Sequence, residues 1–430
     1  MATLTPAHTL APDRVPPGRI WFAAWPVLVV FVLSNAATPL YPLWRERLGF
    51  SAGTLTVIFA GYIVGLIAAL LVAGVLSDRI GRRPVLLPGL MLALVACALF
   101  ATANSVVVLG IARVLTGVAV GATVSAGMAA VADVAGPGRK GLAALAASTA
   151  MVFGAGTGPL LAGVLSEVVA GPTVVVFVVE AVLLVSAGVV VMRLPLTAPK
   201  VRTAGLVRIP TVPRANRRDL LLGVAVFAPG ITSTSFVLSL GPSLLVGLLG
   251  TGNRIVAGAM AFAMFAAATG AQFAARPWPV RRVLLAGACA VVAAMAALAV
   301  ALSAHSVIAL VVAAVLAGAG QGLGQFGGLT LLFTRVPDAR RAEANAALNI
   351  GGYVPAAVLP VTAGYLGDAV GLGWGAGAFA AVLGHSPCSE PVWWAAGLGW
   401  IGDRVRRIGY SCWSPRSDIH VLDGGETLWI

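Results

Sequence analysis

The sequence predicts an all-α polytopic membrane protein built from two six-helix repeats, with a twelfth helix that is atypical or disrupted. Three observations lead there. Of 430 residues, 59% are apolar and only 10% are charged, against about 25% charged in an average soluble domain. Apolar runs of about 20 residues, the length that crosses a bilayer, recur between short charged loops. The second half of the chain also repeats the first at a near-constant offset. A mean hydropathy of +0.97 agrees with the first observation. Too few polar residues are present to cover a water-facing surface, which excludes a soluble enzyme or nucleic-acid binder despite a formal charge of +13.

A polar, proline-broken tail at 1–19 precedes the first run. That run, near 21–43, shows no signal-peptidase site and reads as a retained span. Spans near 55–76, 85–103, 106–131, 142–165 and 172–192 complete an N-terminal bundle over 20–192. A basic linker at 193–219 follows, and its stretch 193–218 holds seven basic residues and no acid. The second bundle, 220–384, reads as spans near 220–248, 255–275, 283–303, 307–333, 343–366 and 372–383. Four cysteines (Cys97, Cys289, Cys388, Cys412) lack paired spacing, which predicts neither a disulfide framework nor a zinc site.

Basic residues test the topology. Arg14, Arg19, the 77–84 loop, Arg139, Lys140, the linker, 276–282 and 335–341 fall on one side and total 20. The other side collects Arg45, Arg47 and Arg254. Lys and Arg are retained in cytoplasmic loops, so the N-terminus and linker are expected in the cytoplasm, with the chain multi-pass in a bacterial-type cell (inner) membrane.

A shift of 201 residues lays RVLTGVAVG (113–121) on AVLAGAGQG (314–322), Arg139-Lys140 on Arg340-Arg341, and PLLAG (159–163) on PVTAG (360–364). A shift of 198 lays VLLPG (85–89) on VLLAG (283–287). Parallel repeats related by an axis along the membrane normal are a transporter architecture. The repeat fails at the C-terminus. The apolar pattern stops at Leu383-Gly384, and 385–430 holds five of the ten tryptophans and two of the four cysteines. This tail reads as unrelated sequence, as a reading-frame change would give, with VWWAAGLGWI (392–401) as a partial replacement for the lost half-span.

The strongest local motif is GVLSDRIGRRPVLL at 74–87, a tight turn between two spans. Gly74 permits close helix approach, Gly81 supplies a turn residue with φ > 0, and Asp78 is the sole acid beside Arg79, Arg82 and Arg83. Topological anchoring explains the charges but not their order. The segment resembles motif A of the major facilitator superfamily. Arg113 and Gly117 in RVLTGVAVGA resemble its motif B, and GAGTGPLLAG (154–163) is similar to the motif C of its drug/proton antiporter branch, 12-helix type, with Ala162 replacing the usual glycine. The resemblance covers about residues 20–370 and implies the major facilitator fold. It implies further that Asp78 faces the start of the eleventh helix near Arg341–Asn345, where a helix dipole favours a carboxylate. Arg82 would pair with Asp78 and Asp133, and together they would latch the halves in the outward-open state. Arg276 stands at the repeat position of Asp78, so the motif occurs once.

Two ionisable residues lie inside spans, Arg113 and Glu180, and charge at that depth is a functional hypothesis by default. The resemblance links Arg113 to proton transfer; the structural alternative is a polar neighbour that fixes packing. Glu180 sits near mid-span in VVVFVVEAVLLV, a setting that suits a proton carrier, or else a neutral side chain facing a bundle partner. The first span carries no acid, only Ser34, Asn35, Thr38 and Tyr41, which moves any coupling onto Arg113 or Glu180. Gly154, Gly158, Pro159 and Gly163 have a structural reading of their own, since small residues allow close helix approach and proline bends a helix.

Asn35, Tyr62, Gln272, Gln321, Gln325, Asn349 and Tyr353 are candidate cavity-lining groups, with Thr232 to Ser235 beside Pro229-Gly230 on the seventh span. The alternative for each is helix–helix hydrogen bonding. No charged cluster asks for an anionic substrate. GPGRKG (136–141) and GLGQFG (322–327) follow no strand and are not nucleotide loops. No His/Cys/Asp cluster or nucleophile–base pair appears, so no enzyme activity, cofactor, metal or nucleic-acid partner is expected. The resemblance implies proton-coupled efflux of a small apolar or weakly polar molecule across the lipid bilayer. A facilitative or uptake carrier, or a non-transporting remnant, is the alternative.

Overall fold

The computed structural model describes residues 16–196, 212–247, 250, 252–337 and 340–385. The tail beyond His385, with its expected replacement half-span, and the middle of the linker lie outside the described residues. The architecture is all-helical. The first span is α1 (Pro17–Ala36), a 3₁₀ turn (Thr38–Leu40) and α2 (Tyr41–Leu48). Then come α3 (Ala52–Ile80), α4 (Arg83–Ala101) and a fourth span made of α5 (Val106–Ala122), a π-helical turn (Thr123–Gly127) and α6 (Met128–Ala135). The N-terminal half closes with α7 (Lys140–Val168) and α8 (Pro172–Arg193). The C-terminal half contains α9 (Arg217–Gly247), α10 (Arg254–Ala274), α11 (Val280–Ser303), α12 (Val307–Arg335), α13 (Arg341–Val370) and α14 (Leu372–Gly384).

Among the described residues, eleven spans are long and apolar enough to cross a membrane. The exception is α14, whose 13 residues reach about 20 Å of the roughly 30 Å hydrocarbon layer. It is nonetheless packed, because Phe379 stacks on Phe236 of α9 at 4.1 Å between centroids. The helix begins where the sequence reading has it begin and stops where the apolar pattern stops.

Four helix starts at the end opposite the arginine loops (here the far end) are capped by side chains, whereas α8 and α14 start after Gly171 and Gly371 without one. Ser51 accepts from the Thr54 N–H, Ser105 from Val108, Asn253 from Ile255 and Val256, and Ser306 from Ala309. Such caps satisfy amides that a helix start leaves open. Ser105 and Ser306 are 201 residues apart, so the repeat extends to its caps. At the arginine end, Gly81 terminates α3 with φ +101°.

Inside the N-terminal half, Tyr41, Trp44, Phe100 and Phe177 form an aromatic cluster that joins α2, α4 and α8, with Phe100 and Phe177 stacked at 4.8 Å. Helices α3 and α5 approach each other closely. There Gly117 lies directly against the backbone of Tyr62, and a Cβ at this position would collide with the Tyr62 carbonyl. Gly110, two turns earlier on the same helix, has open space beside it. Gly117→Ala is therefore expected to lower stability by about 1–3 kcal/mol through overpacking, while Gly110→Ala leaves it unchanged or higher. Thermal unfolding of the two variants in detergent compares them directly, and equal midpoints would contradict the close contact.

Candidate functional site

At the arginine end, the last turn of α3 and the first residue before α4 build a charged cluster. Arg82 reaches back one helical turn, its Nη1 donating to Asp78 Oδ1 at 2.5 Å and to Ser77 Oγ at 2.9 Å. Its Nε donates to Asp133 Oδ2 at 3.1 Å, tying α3 to the end of α6. Burial works against the guanidinium charge, but hydrogen bonds and ion pairing with Asp78 and Asp133 outweigh it and hold Arg82 above its ordinary pKa. All three residues belong to the N-terminal half. Arg83 does something the motif did not announce: its Nη2 donates to the carbonyls of Met192 and Leu194 at 3.1 and 2.8 Å. It thereby satisfies the C-terminal end of α8, where a cation is favoured. Gly74 and Arg79 are half-buried on α3, and α13 begins at Arg341.

Arg113 occupies the middle of the N-terminal half with no exposed surface. Its Nη1 donates to the Ser34 carbonyl of α1 at 2.8 Å, and its guanidinium carbon lies 4.8, 5.3 and 5.7 Å from the ring centres of Phe59, Tyr62 and Tyr41. Nε and Nη2 find no acceptor among the described residues. A desolvated cation over an aromatic face gains about 2 kcal/mol, whereas removing an ion from water costs several. The aromatic cage offsets part of that cost, not all of it. The polar neighbour expected from sequence is a backbone carbonyl, and the rings around it came without signal because Phe59 and Tyr62 lie on α3 and Tyr41 on α2, both distant in sequence from Arg113. Gly117, one turn beyond Arg113, brings the Tyr62 backbone close enough for the cage to form. Below it, the π-helical turn at Thr123–Gly127 separates Arg113 from Asp133 on the same span.

Glu180 is likewise fully buried, and neither carboxylate oxygen has a hydrogen-bond partner among the described residues. It falls on the inward stripe of α8 with Phe177, Leu184, Ala187 and Val191, the spacing of one helix face. Phe177, one turn away, anchors this face in the aromatic cluster. Trp25 Nε1 of α1 donates to Ser186 Oγ of α8 at 2.9 Å along the same seam.

Several candidate cavity groups are used within their own helices. Asn349 donates to the carbonyl and side-chain oxygen of Asn345 at 2.8 Å, one turn back on the same face. Asn35 donates to Ser34 Oγ at 3.0 Å. Ser233 and Thr234 bond the carbonyls of Pro229 and Ile231, while Ser235 crosses to the Ala356 carbonyl of α13 at 2.7 Å. Gln321 is different: its Oε1 lacks a partner among the described residues, and its backbone is seated against Gly230 of α9. Tyr353 meets Phe227 edge-on at 6.4 Å. Gln272 and Gln325 are half-buried.

The glycines of α7 divide between two neighbours. Gly154 and Gly158 lie against the Leu28 and Val32 backbone of α1, whereas Gly163 lies against Arg254 of α10, in the other half. Pro159 takes part in the same contact, its carbonyl pressed by Gly258 of α10. Beside this seam, Trp21, Ala24, Trp25, Leu28, Thr149, Ala150 and Phe153 line a groove of about 440 Å³ between α1 and α7.

The Arg82 pairs are partly exposed, at 20% for the arginine and 36% and 43% for its partners. Such pairs contribute about 0–1 kcal/mol, too little to hold the fold. Arg82→Ala is expected to insert and unfold within about 1 kcal/mol of the parent chain, while compound movement in proteoliposomes slows roughly fivefold. Loss of insertion would reduce the cluster to a topological anchor.

Comparison with known proteins accords with this architecture. The chain is 30% identical over 117 residues to the uncharacterized MFS-type transporter YfkF of Bacillus subtilis (strain 168), a match covering 27% of this chain and 30% of that protein. Among solved structures, a bacterial homolog of the human lysosomal transporter Spinster, inward-facing and unoccupied, superposes with a TM-score of 0.65 at 14% identity, covering 94% of this chain and 100% of that one. The nucleoside transporter NupG gives 0.65 at 10% identity over 85% and 98%, and a D-xylose-proton symporter 0.62 at 15% over 85% and 97%. These likenesses show the shared fold. The sequence profile of the Major Facilitator Superfamily matches residues 21–278, more than half of the chain, and the protein belongs to that superfamily.

Proposed function

We propose that this transporter is a proton-coupled exporter of small apolar or weakly polar compounds, working by alternating access of its two halves. The observation that carries the coupling is the pair of buried ionisable groups in one half. Arg113 keeps two donors, and Glu180 both acceptors, without partners among the described residues. Charge buried at a cost that the protein does not offset is a working group rather than a structural one. A carboxylate in an apolar seam is suited to carry a proton, and an arginine held by one carbonyl and three rings is suited to change partners. The aromatic groove between α1 and α7, with one hydroxyl from Thr149, supports an apolar substrate. The side carrying 20 basic residues is read as cytoplasmic, which sets the N-terminus inside a cell membrane. On this reading the switch motif, Gly74 to Arg83 with Asp133, acts at the cytoplasmic gate, and Gly154, Gly158, Pro159 and Gly163 form the hinge seam. Asn35, Tyr62, Gln321, Gln325, Asn349 and Tyr353 border the path of the substrate.

Proteoliposomes with an imposed proton gradient and a panel of lipophilic cations and antibiotics test the reading. Compound-triggered internal pH change is expected, lost in Glu180→Gln or Arg113→Ala while both variants stay inserted. Compound movement without proton movement would make the protein a facilitative carrier instead, as the absence of an acid from residues 21–43 suggests.

A further inference from the structure

Two contacts at the far end join the halves in a way that the switch motif does not cover. Near its end α7 reads GVLSE (163–167), and near its end α13 reads GYLGD (364–368), 201 residues later and in register with the repeat. In each segment a glycine and a carboxylate four residues on share one helix face. Glu167 Oε1 accepts from the backbone N–H of Arg254 at 2.9 Å and from its Nε at 2.8 Å. Asp368 accepts from the N–H groups of Ala52 and Gly53, both at 2.8 Å, one on each carboxylate oxygen. Arg254 and Ala52 are the first residues of α10 and α3. Each carboxylate therefore satisfies amides that a helix start leaves open, at the pole where the helix dipole favours an anion.

The paired glycines make the approach possible. A Cβ on Gly364 would fall 2.6 Å from Thr56 Oγ1 and 2.9 Å from the Ala52 carbonyl, and one on Gly163 would collide with the Arg254 carbonyl. Both contacts run between halves, since α3 and α7 belong to one and α10 and α13 to the other. Neither is sealed from water: Glu167 is 29% exposed, and Asp368 is exposed.

The geometry points to Glu167 and Asp368 as a twofold latch that holds the far end closed and releases both helix starts when that end opens. The inference rests on alternating access and requires no particular substrate or coupling ion. Repeat symmetry explains why there are two: opening a pseudo-symmetric pair of halves breaks both contacts in one motion. Each latch is a hydrated cap, weak enough to reverse within a transport cycle.

The test is a distance measurement on the full chain in nanodiscs. Spin labels at Asn104→Cys and Ala304→Cys, exposed in far-end loops of opposite halves, are read by pulsed electron resonance with Cys97, Cys289, Cys388 and Cys412 replaced. Glu167→Ala and Asp368→Ala are each expected to raise the long-distance population roughly fivefold relative to the short one, the usual effect of losing one cap, and the double variant roughly twentyfold. Arg254→Ala, which leaves the amide cap, shifts it less. Unchanged distributions in both alanine variants, with parent-like unfolding, would overturn the latch. If the alanine variants fail to fold, Glu167→Gln and Asp368→Asn carry the same criterion with a smaller shift. Proton movement is read separately. Shifted distances without coupled protons would keep the latch and refute the antiport reading, and coupled protons with unchanged distances would do the reverse.

Discussion

Hydrocarbon cannot hydrate a polar group, and most of this structure follows from that. Backbone amides are satisfied within helices, so the chain has little choice but to cross the membrane as helices. Once formed, the helices gain little from apolar burial, because lipid tails are as apolar as leucine. Close backbone approach does the work instead, which is why Gly117 against Tyr62, Gly158 against Val32 and Gly258 against Pro159 sit at the main seams. The same constraint makes Arg113 and Glu180 conspicuous. A soluble protein would hydrate them, whereas here they are buried and, among the described residues, incompletely bonded.

The fold was largely legible in the sequence because its determinants are local and periodic. Apolar runs of the right length, charged loops and the 201-residue offset each survive reading one residue at a time. Arg82 between Asp78 and Asp133 was legible through the motif. What was not legible depends on which helices meet. Phe59, Tyr62 and Tyr41 are ordinary aromatics until three spans bring them around one guanidinium. Asn349 read as a cavity group, yet its amide is used by Asn345 one turn back, a local competition that polarity alone does not announce. Arg83 read as one member of the switch motif, and its contact with the end of α8 was not part of that reading. The carboxylates at 167 and 368 did carry a signal, a glycine four residues before an acid in matching repeat positions, but only the crossing helices give it meaning.

The two ends of the molecule solve the same problem with different chemistry. At the arginine end one cation gathers two carboxylates of its own half, and Arg276 at the repeat position of Asp78 breaks the symmetry. At the far end two carboxylates of different halves gather backbone amides, and the symmetry is kept. A helix start is a fixed partner whose amides need no side-chain rotamer to be frozen, so a carboxylate that meets it loses little entropy on closing. An arginine pair is costlier to order but is adjustable through its neighbours.

Magnitudes decide whether such contacts are able to switch the molecule. Two conformations that exchange during transport must lie within a few kcal/mol of each other. A buried ion pair broken on one side costs about 3–5 kcal/mol and would lock the chain in one state. A partly hydrated pair or cap contributes about 1 kcal/mol, so a few of them at each end leave the equilibrium near balance. The contacts described above at the two ends are of this weaker kind, partly exposed and short-reaching. The strong electrostatics are kept away from the gates, at Arg113 and Glu180, where neither group has a permanent counter-charge among its hydrogen-bond partners. On the proposed coupling, changing the charge at that depth outweighs any single contact at either end, so a proton arriving there would tip a balance that the end contacts hold nearly level.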